Sequence, residues 1–139
     1  MTFVLDCSVA ISWAFADEQN AFAELIVHLL RNDVAVVPGI GPLEIANTIV
    51  VGQRRRHLPE DDRLRYFRQL QQLPIRIDST LLTVSAIVQC YDLANAHQLS
   101  AYDASYLELA MRVGFPLATL DIRLADAATR AGVPLIADA

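Results

Sequence analysis

The chain has 139 residues, enough for one domain with a single sizeable core. It is 54% hydrophobic with mean hydropathy +0.33, yet no apolar run approaches the roughly 18 residues needed to span a bilayer. Net charge is −5, which does not suit a strong nonspecific nucleic-acid binder, and all 11 basic residues are Arg, which excludes chemistry that requires a lysine.

Asp6 follows at once on the first residues and no basic segment precedes it, so a secretory signal is not expected. The chain is accordingly expected in the cytoplasm, with no membrane partner and with its surplus apolar surface buried in an oligomer or against another protein. Cys7 and Cys90, and His28, His57 and His97, lack metal-ligand spacing. The thiols read as two buried, unpaired cysteines, and zinc is not expected.

In chain order, Thr2–Leu5 is a short apolar, β-branched run and predicts a buried first strand. Ser8 then offers a cap for a helix reaching about Phe15. From Asn20, Phe22, Leu25, Ile26, Leu29 and Leu30 give the spacing of an amphipathic helix. Val34–Val37 predicts a second strand. Pro42 suits the first turn of a helix running to about Arg55. Asp61–Leu73 predicts another helix with Leu64, Phe67 and Leu70 inward, ended by Pro74. Ile75–Ile77 is a weak strand and Leu81–His97 a largely apolar helix. Helix, Gly-Phe-Pro turn, buried strand and a further helix follow between Ser100 and the Gly132-Val-Pro stop, before an edge strand at Leu135–Ile136. Strands alternating with helices predict one α/β domain over residues 1–139, a three-layer α/β/α sandwich on a mostly parallel, roughly five-stranded sheet.

Four acids occupy equivalent places in this pattern. Asp6 ends the first strand, Glu44 lies in the first turn of the helix after the second, Asp103 opens the helix at Ser100, and Asp121 stands where a strand hands over to a helix. Carboxyl ends of parallel strands share one sheet edge, so the four could face one pocket. Asp103 rides the apolar face of Tyr106, Leu107 and Ala110, and Glu44 shares a polar face with Asn47 and Thr48. Each acid also has a plain reading as a helix cap or a charge at the positive end of a helix, with Ser100 and Asp103 three apart as in a capping box. Capping does not account for all four at one edge.

Carboxylates gathered together raise one another's pKa unless a cation relieves the repulsion. Oxygen donors suit Mg²⁺ or Mn²⁺, and such a site suits metal-assisted hydrolysis of a phosphodiester.

The runs F-V-L-D-C-S-V at Phe3–Val9, P-L-E-I-A-N at Pro42–Asn47, A-Y-D-A-S-Y-L-E-L-A at Ala101–Ala110 and L-A-T-L-D-I-R-L at Leu117–Leu124 together resemble a PIN domain of the VapC-toxin type, over essentially the whole chain. The resemblance implies a Mg²⁺- or Mn²⁺-dependent ribonuclease, a homodimer, and inhibition by a cognate antitoxin. It implies Asp6, Glu44, Asp103 and Asp121 as catalytic and metal-site acids. Ser8 and Thr119 stand where the family has hydroxyl residues and are candidates to support these acids, with a cap or strand-packing role as the alternative for each; Asn47 is a further supporting candidate.

Arg54, Arg55 and Arg56 form the densest basic run, with Arg63, Arg65 and Arg68 beyond, and could hold RNA phosphates, an acidic stretch of the antitoxin, or water alone. Arg123, two residues past Asp121, is a second RNA-contact candidate. Asp126 is at most an accessory acid. Lysine-dependent receiver domains and phosphatases, and P-loop hydrolases, fail on composition. The competing reading is a catalytically silent α/β interaction module that binds a protein through its apolar surface.

Overall fold

A computed structural model describes residues 1–15, 20–55 and 58–137. Its sheet holds four parallel strands in the order β3-β2-β1-β4: β1 (Thr2–Leu5), β2 (Val34–Pro38), β3 (Ile75–Asp78) and β4 (Leu117–Ala118). The register sets Phe3 against Ala35, Val36 against Arg76, and Val4 against Leu117.

Period-two alternation sorts each central strand between two cores. Phe3 and Leu5 of β1, Ala35 and Val37 of β2 and Ala118 of β4 join one apolar cluster. Val4 and Leu117 join the other, with Val36 against it. A strand apolar on both faces must be covered on both, as parallel sheets are. The first cluster is closed by α1 (Cys7–Ser12) and α2 (Ala21–Leu29), the second by α6 (Ala101–Val113) and α7 (Ile122–Arg130). The three-layer α/β/α architecture is therefore the observed one.

Between these elements run α3 (Gly41–Arg55), α4 (Glu60–Gln72) and α5 (Ala86–His97). Local chemistry sets the ends. Asn20 Oδ1 accepts from the amides of Phe22 and Ala23 at 2.8 and 3.2 Å, and Ser100 Oγ accepts from that of Asp103 at 3.1 Å. Gly114, at φ 72°, ends α6 in the left-handed conformation that a side chain would resist.

Several sequence expectations need correction. Ser8 does not cap α1: Asp6 holds the cap position, Ser8 lies inside the helix, and the helix stops at Ser12 rather than Phe15. On α4, Leu64 is exposed and Tyr66 is buried instead, its hydroxyl donating to the Ala10 carbonyl at 2.6 Å. The α4 stripe is rotated because a phenol that finds a buried acceptor can go inside. The helix predicted from Leu81 begins only at Ala86. Leu135–Ile136 forms no strand; Leu135 makes an isolated bridge to Leu117, so four strands stand among the described residues where about five were expected. Both cysteines are half-buried rather than buried, and both are free.

Candidate active site

Strand order reverses beside β1: the chain moves outward through β2 and β3, then returns to place β4 on the other flank. Ligand crevices in open parallel sheets form at such a reversal, outside the carboxyl ends of the strands. Asp6 follows β1 there, and Thr119 and Asp121 follow β4.

Asp6 is only 2% exposed. Although it occupies the cap position of α1, its side chain makes no capping bond. Its Oδ2 instead accepts from Ser8 Oγ at 2.5 Å and Thr119 Oγ1 at 2.8 Å, while Oδ1 is buried with no hydrogen-bond partner. The two hydroxyls also tie the strand ends together. Ser8 Oγ accepts from the Leu120 amide at 3.0 Å and Thr119 Oγ1 from the Asp121 amide at 3.0 Å. Burial pushes the Asp6 carboxyl up to about 6; Ser8 and Thr119 oppose the shift, and Asp103 and Glu44 add to it.

Glu44, in the first turn of α3, is half-buried. Cys7 Sγ donates to its Oε2 at 3.3 Å, and Oε1 is buried without a partner. Burial raises its pKa, and the charge of Asp103 raises it further, against the pull of Cys7 and the nearby Tyr106. Asp103 is likewise raised, by partial burial and then by Asp121. Asp6, Glu44 and Asp103 thus lie within each other's fields, and Asp121 joins them through Asp103.

Asp121 is also a helix cap, as the plainer reading held: its Oδ1 accepts from the amides of Arg123 at 2.9 Å and Leu124 at 3.2 Å. Oδ2 takes no part in that cap. Asp78 offers an instructive contrast. It too ends a strand at this edge, but Arg112 grips it through Nη2 at 2.7 Å and Nη1 at 3.3 Å. Partial burial raises its pKa, but the Arg112 bonds outweigh that and hold it below the usual range. Among the described residues no cation pairs with Asp6, Glu44, Asp103 or Asp121.

Among the described residues, no three acid, histidine or cysteine side chains are drawn together as a metal cage. Unneutralised carboxylates repel one another, and a cation would relieve that repulsion. Their chemistry nevertheless fits a hard divalent cation: an all-oxygen donor set, no competing Arg, and two buried carboxylate oxygens with no hydrogen bond to lose.

Other expected site residues fall differently. Asn47 is exposed and makes no hydrogen bond to the acids. Arg54 and Arg55 lie exposed in the last turn of α3, and Arg123 is exposed beside Asp121. Arg56 lies outside the described residues, as does His57. Asp126 is exposed on α7, away from the buried face of Leu124, Ala127 and Ala128. Sequence reasoning missed Cys7 and Tyr106. Their signals were present: Cys7 directly follows Asp6, and Tyr106 stands one helical turn beyond Asp103 on its face.

A family model described as "PIN domain" matches residues 3–130. The chain is 27% identical to Ribonuclease VapC3 of Pyrobaculum aerophilum, over 91% of this chain and 94% of the relative. A crystal structure from the same organism superposes with a TM-score of 0.66 at 19% identity, covering 91% of this chain and 79% of that one. FitAcB from Neisseria gonorrhoeae superposes with a TM-score of 0.62 at 17% identity, over 99% and 97% of the two chains. VapBC2 from Rickettsia felis, bound to a DNA fragment from its promoter, gives 0.62 at 11% identity over 98% of each.

Proposed function

We propose that this chain, which belongs to the PIN-domain family, is a divalent-metal-dependent endoribonuclease and the toxin of a toxin–antitoxin pair. The observation that carries the reading is the group of acids left without cations at the sheet's reversal point, two of them with buried, unpartnered oxygens. The relative's name, Ribonuclease VapC3, supports RNA as the substrate. The names FitAcB and VapBC2 support a cognate antitoxin as partner. No described helix is long and apolar enough to cross a membrane.

Asp6, Glu44, Asp103 and Asp121 would hold Mg²⁺ or Mn²⁺. Such an ion, when bound, activates a water and neutralises charge developing on the phosphodiester. The chain's own contribution is placement. Ser8 and Thr119 fix one oxygen of Asp6 and leave the other uncommitted. Asp121 keeps one oxygen on its helix cap and has the second to spare. Arg123, exposed one residue into α7, is set to meet a substrate phosphate. Arg54 and Arg55 present two more cations at the end of α3.

The test is cleavage of end-labelled RNA with Mn²⁺ or Mg²⁺ and then with EDTA. Cutting should require the metal, and Asp103→Asn should lower the rate about 100-fold or more, a barrier increase of about 2.7 kcal/mol. An Asp103→Asn protein that cuts as fast as its parent would remove that residue from the site. RNA left intact with either metal would favour the silent interaction module.

The homodimer has its own support. Helix α5 packs on α6 through few buried residues and leaves Ile87, Val88 and Tyr91 65%, 66% and 64% exposed. Val84, just before it, is 84% exposed. Charges are sparse here: between Leu81 and Asn95 the only ionic side chain is Asp92. A face with little charge is self-compatible, because a two-fold axis would set any strong charge against its own copy. Val88→Glu should therefore convert a dimer to a monomer in light scattering; an unchanged mass would place the contact elsewhere.

A further inference from the structure

Of the four acids, Glu44 has the longest side chain and the most freedom to lose. Fixing a glutamate costs more rotamer entropy than fixing a shorter aspartate. Asp6 is held by two hydroxyls and Asp121 by two amides. What holds Glu44 is different in kind. Its Oε2 accepts from the Cys7 thiol at 3.3 Å.

The opposite oxygen, Oε1, is buried and unpartnered. So is the hydroxyl of Tyr106, a residue with no exposure at all. That hydroxyl sits under the first turn of α3: a Cβ added at Gly41, three residues before Glu44, would stand 3.4 Å from it. A buried acceptor and a buried donor, each without a bond, therefore lie at the same turn. One hydrogen bond between them would satisfy both, and a buried donor or acceptor left without one is destabilising. Cys7 and Tyr106 also line an apolar cleft of about 420 Å³ with Ile45, Phe67 and Leu70. Apart from Cys7, Gln71 and Tyr106, the lining of this cleft is apolar.

We propose that Cys7 and Tyr106 are positioning residues for Glu44, the thiol holding one carboxylate oxygen and the phenol serving the other, so that together they set how tightly the acids take a divalent cation. The inference rests on the metal-dependent reading above and extends it to two residues outside the acid set.

The test is Mn²⁺ binding to the purified protein without RNA, followed by calorimetry or by the electron-spin signal of free Mn²⁺. Cys7→Ala and Tyr106→Phe should each weaken binding about 10-fold, within the range that outer partners of a metal ligand command. Cys7→Ser, which keeps a donor, should recover most of the Cys7→Ala loss. Tyr106→Phe removes a single hydroxyl and keeps the buried ring, so its unfolding midpoint in EDTA should lie close to the parent's, separating lost positioning from lost fold. Parental affinity in Cys7→Ala and Tyr106→Phe, with affinity lost in Glu44→Gln, would overturn the proposal and leave the nuclease reading intact. A Cys7→Ser protein no better than Cys7→Ala would reduce the thiol to packing and overturn its half. A parent that binds no Mn²⁺ and cuts no RNA would end both readings.

Discussion

Asp6→Asn is expected to cost nearly all RNA cleavage while making the metal-free protein more stable at neutral pH. The loss of activity follows from removing the most buried acid of the site, and a drop of at least about 100-fold corresponds to about 2.7 kcal/mol of barrier. The gain in stability follows from burial. The Asp6 pKa is about 6 in the folded chain, against about 3.9 for an unfolded aspartate. A raised acid pKa means that the folded state holds the proton more tightly. Its contribution is complete below about pH 4 and is lost as pH rises through about 6. About two pKa units at about 1.36 kcal/mol each give a loss on the order of 3 kcal/mol by neutral pH.

An asparagine carries no such cost. It can still accept from Ser8 and Thr119, but it turns an amide donor into the place of the unpartnered Oδ1. We expect a net gain of about 1–2 kcal/mol in EDTA at pH 7.5, with much of the advantage gone at pH 4. Denaturant melts of the two proteins at both pH values decide it. An Asp6→Asn protein less stable than its parent at pH 7.5 would show that the hydroxyl network, not the buried charge, dominates at this position.

The second large effect is stabilisation by the cation. Mn²⁺ at about 100 times its Kd should add about 2.7 kcal/mol, raising the melting temperature by roughly 10 °C for a chain of this size. EDTA should reverse the shift, and Asp6→Asn and Glu44→Gln should abolish most of it. The shift should also fade on acidification through pH 6, because Asp6 must release its proton before it can act as a ligand. Glu44 and Asp103, both raised by burial and by neighbouring acids, steepen that dependence. A shift of equal size at pH 5 and pH 8 would mean that the ion binds somewhere other than these acids.

The resemblance to PIN domains, read from four short runs, holds in the family match over residues 3–130. Much of the architecture was open to the sequence because it is local. Asn20 before Phe22 and Ile26, Ser100 before Asp103, and Gly114 after Val113 each act within a turn or two of their own positions. The apolar runs of β1 and β2 carry their own alternation, so burial on both faces could be anticipated. Where periodicity alone was followed, it failed at Leu64 and Tyr66, because the Ala10 carbonyl that receives the phenol lies 56 residues away.

The candidate site divides in the same way. Composition and position in the chain put four acids at strand ends or first helical turns, and the absence of lysine removed rival chemistries. Sequence could not say which acids remain free of cations. Arg112 reaches across 34 residues to neutralise Asp78, while among the described residues the other four acids have no such partner. Nor could it find the hydroxyl of Thr119 on Asp6, 113 residues away, or the thiol of Cys7 on Glu44, 37 away. What the amino-acid order determined by itself is what nearest neighbours enforce: helix ends, strand alternation, and the kind of charge available. Tertiary structure alone decided which of those charges stay buried and unpaired, because desolvation and pairing depend on what packs against a group in space.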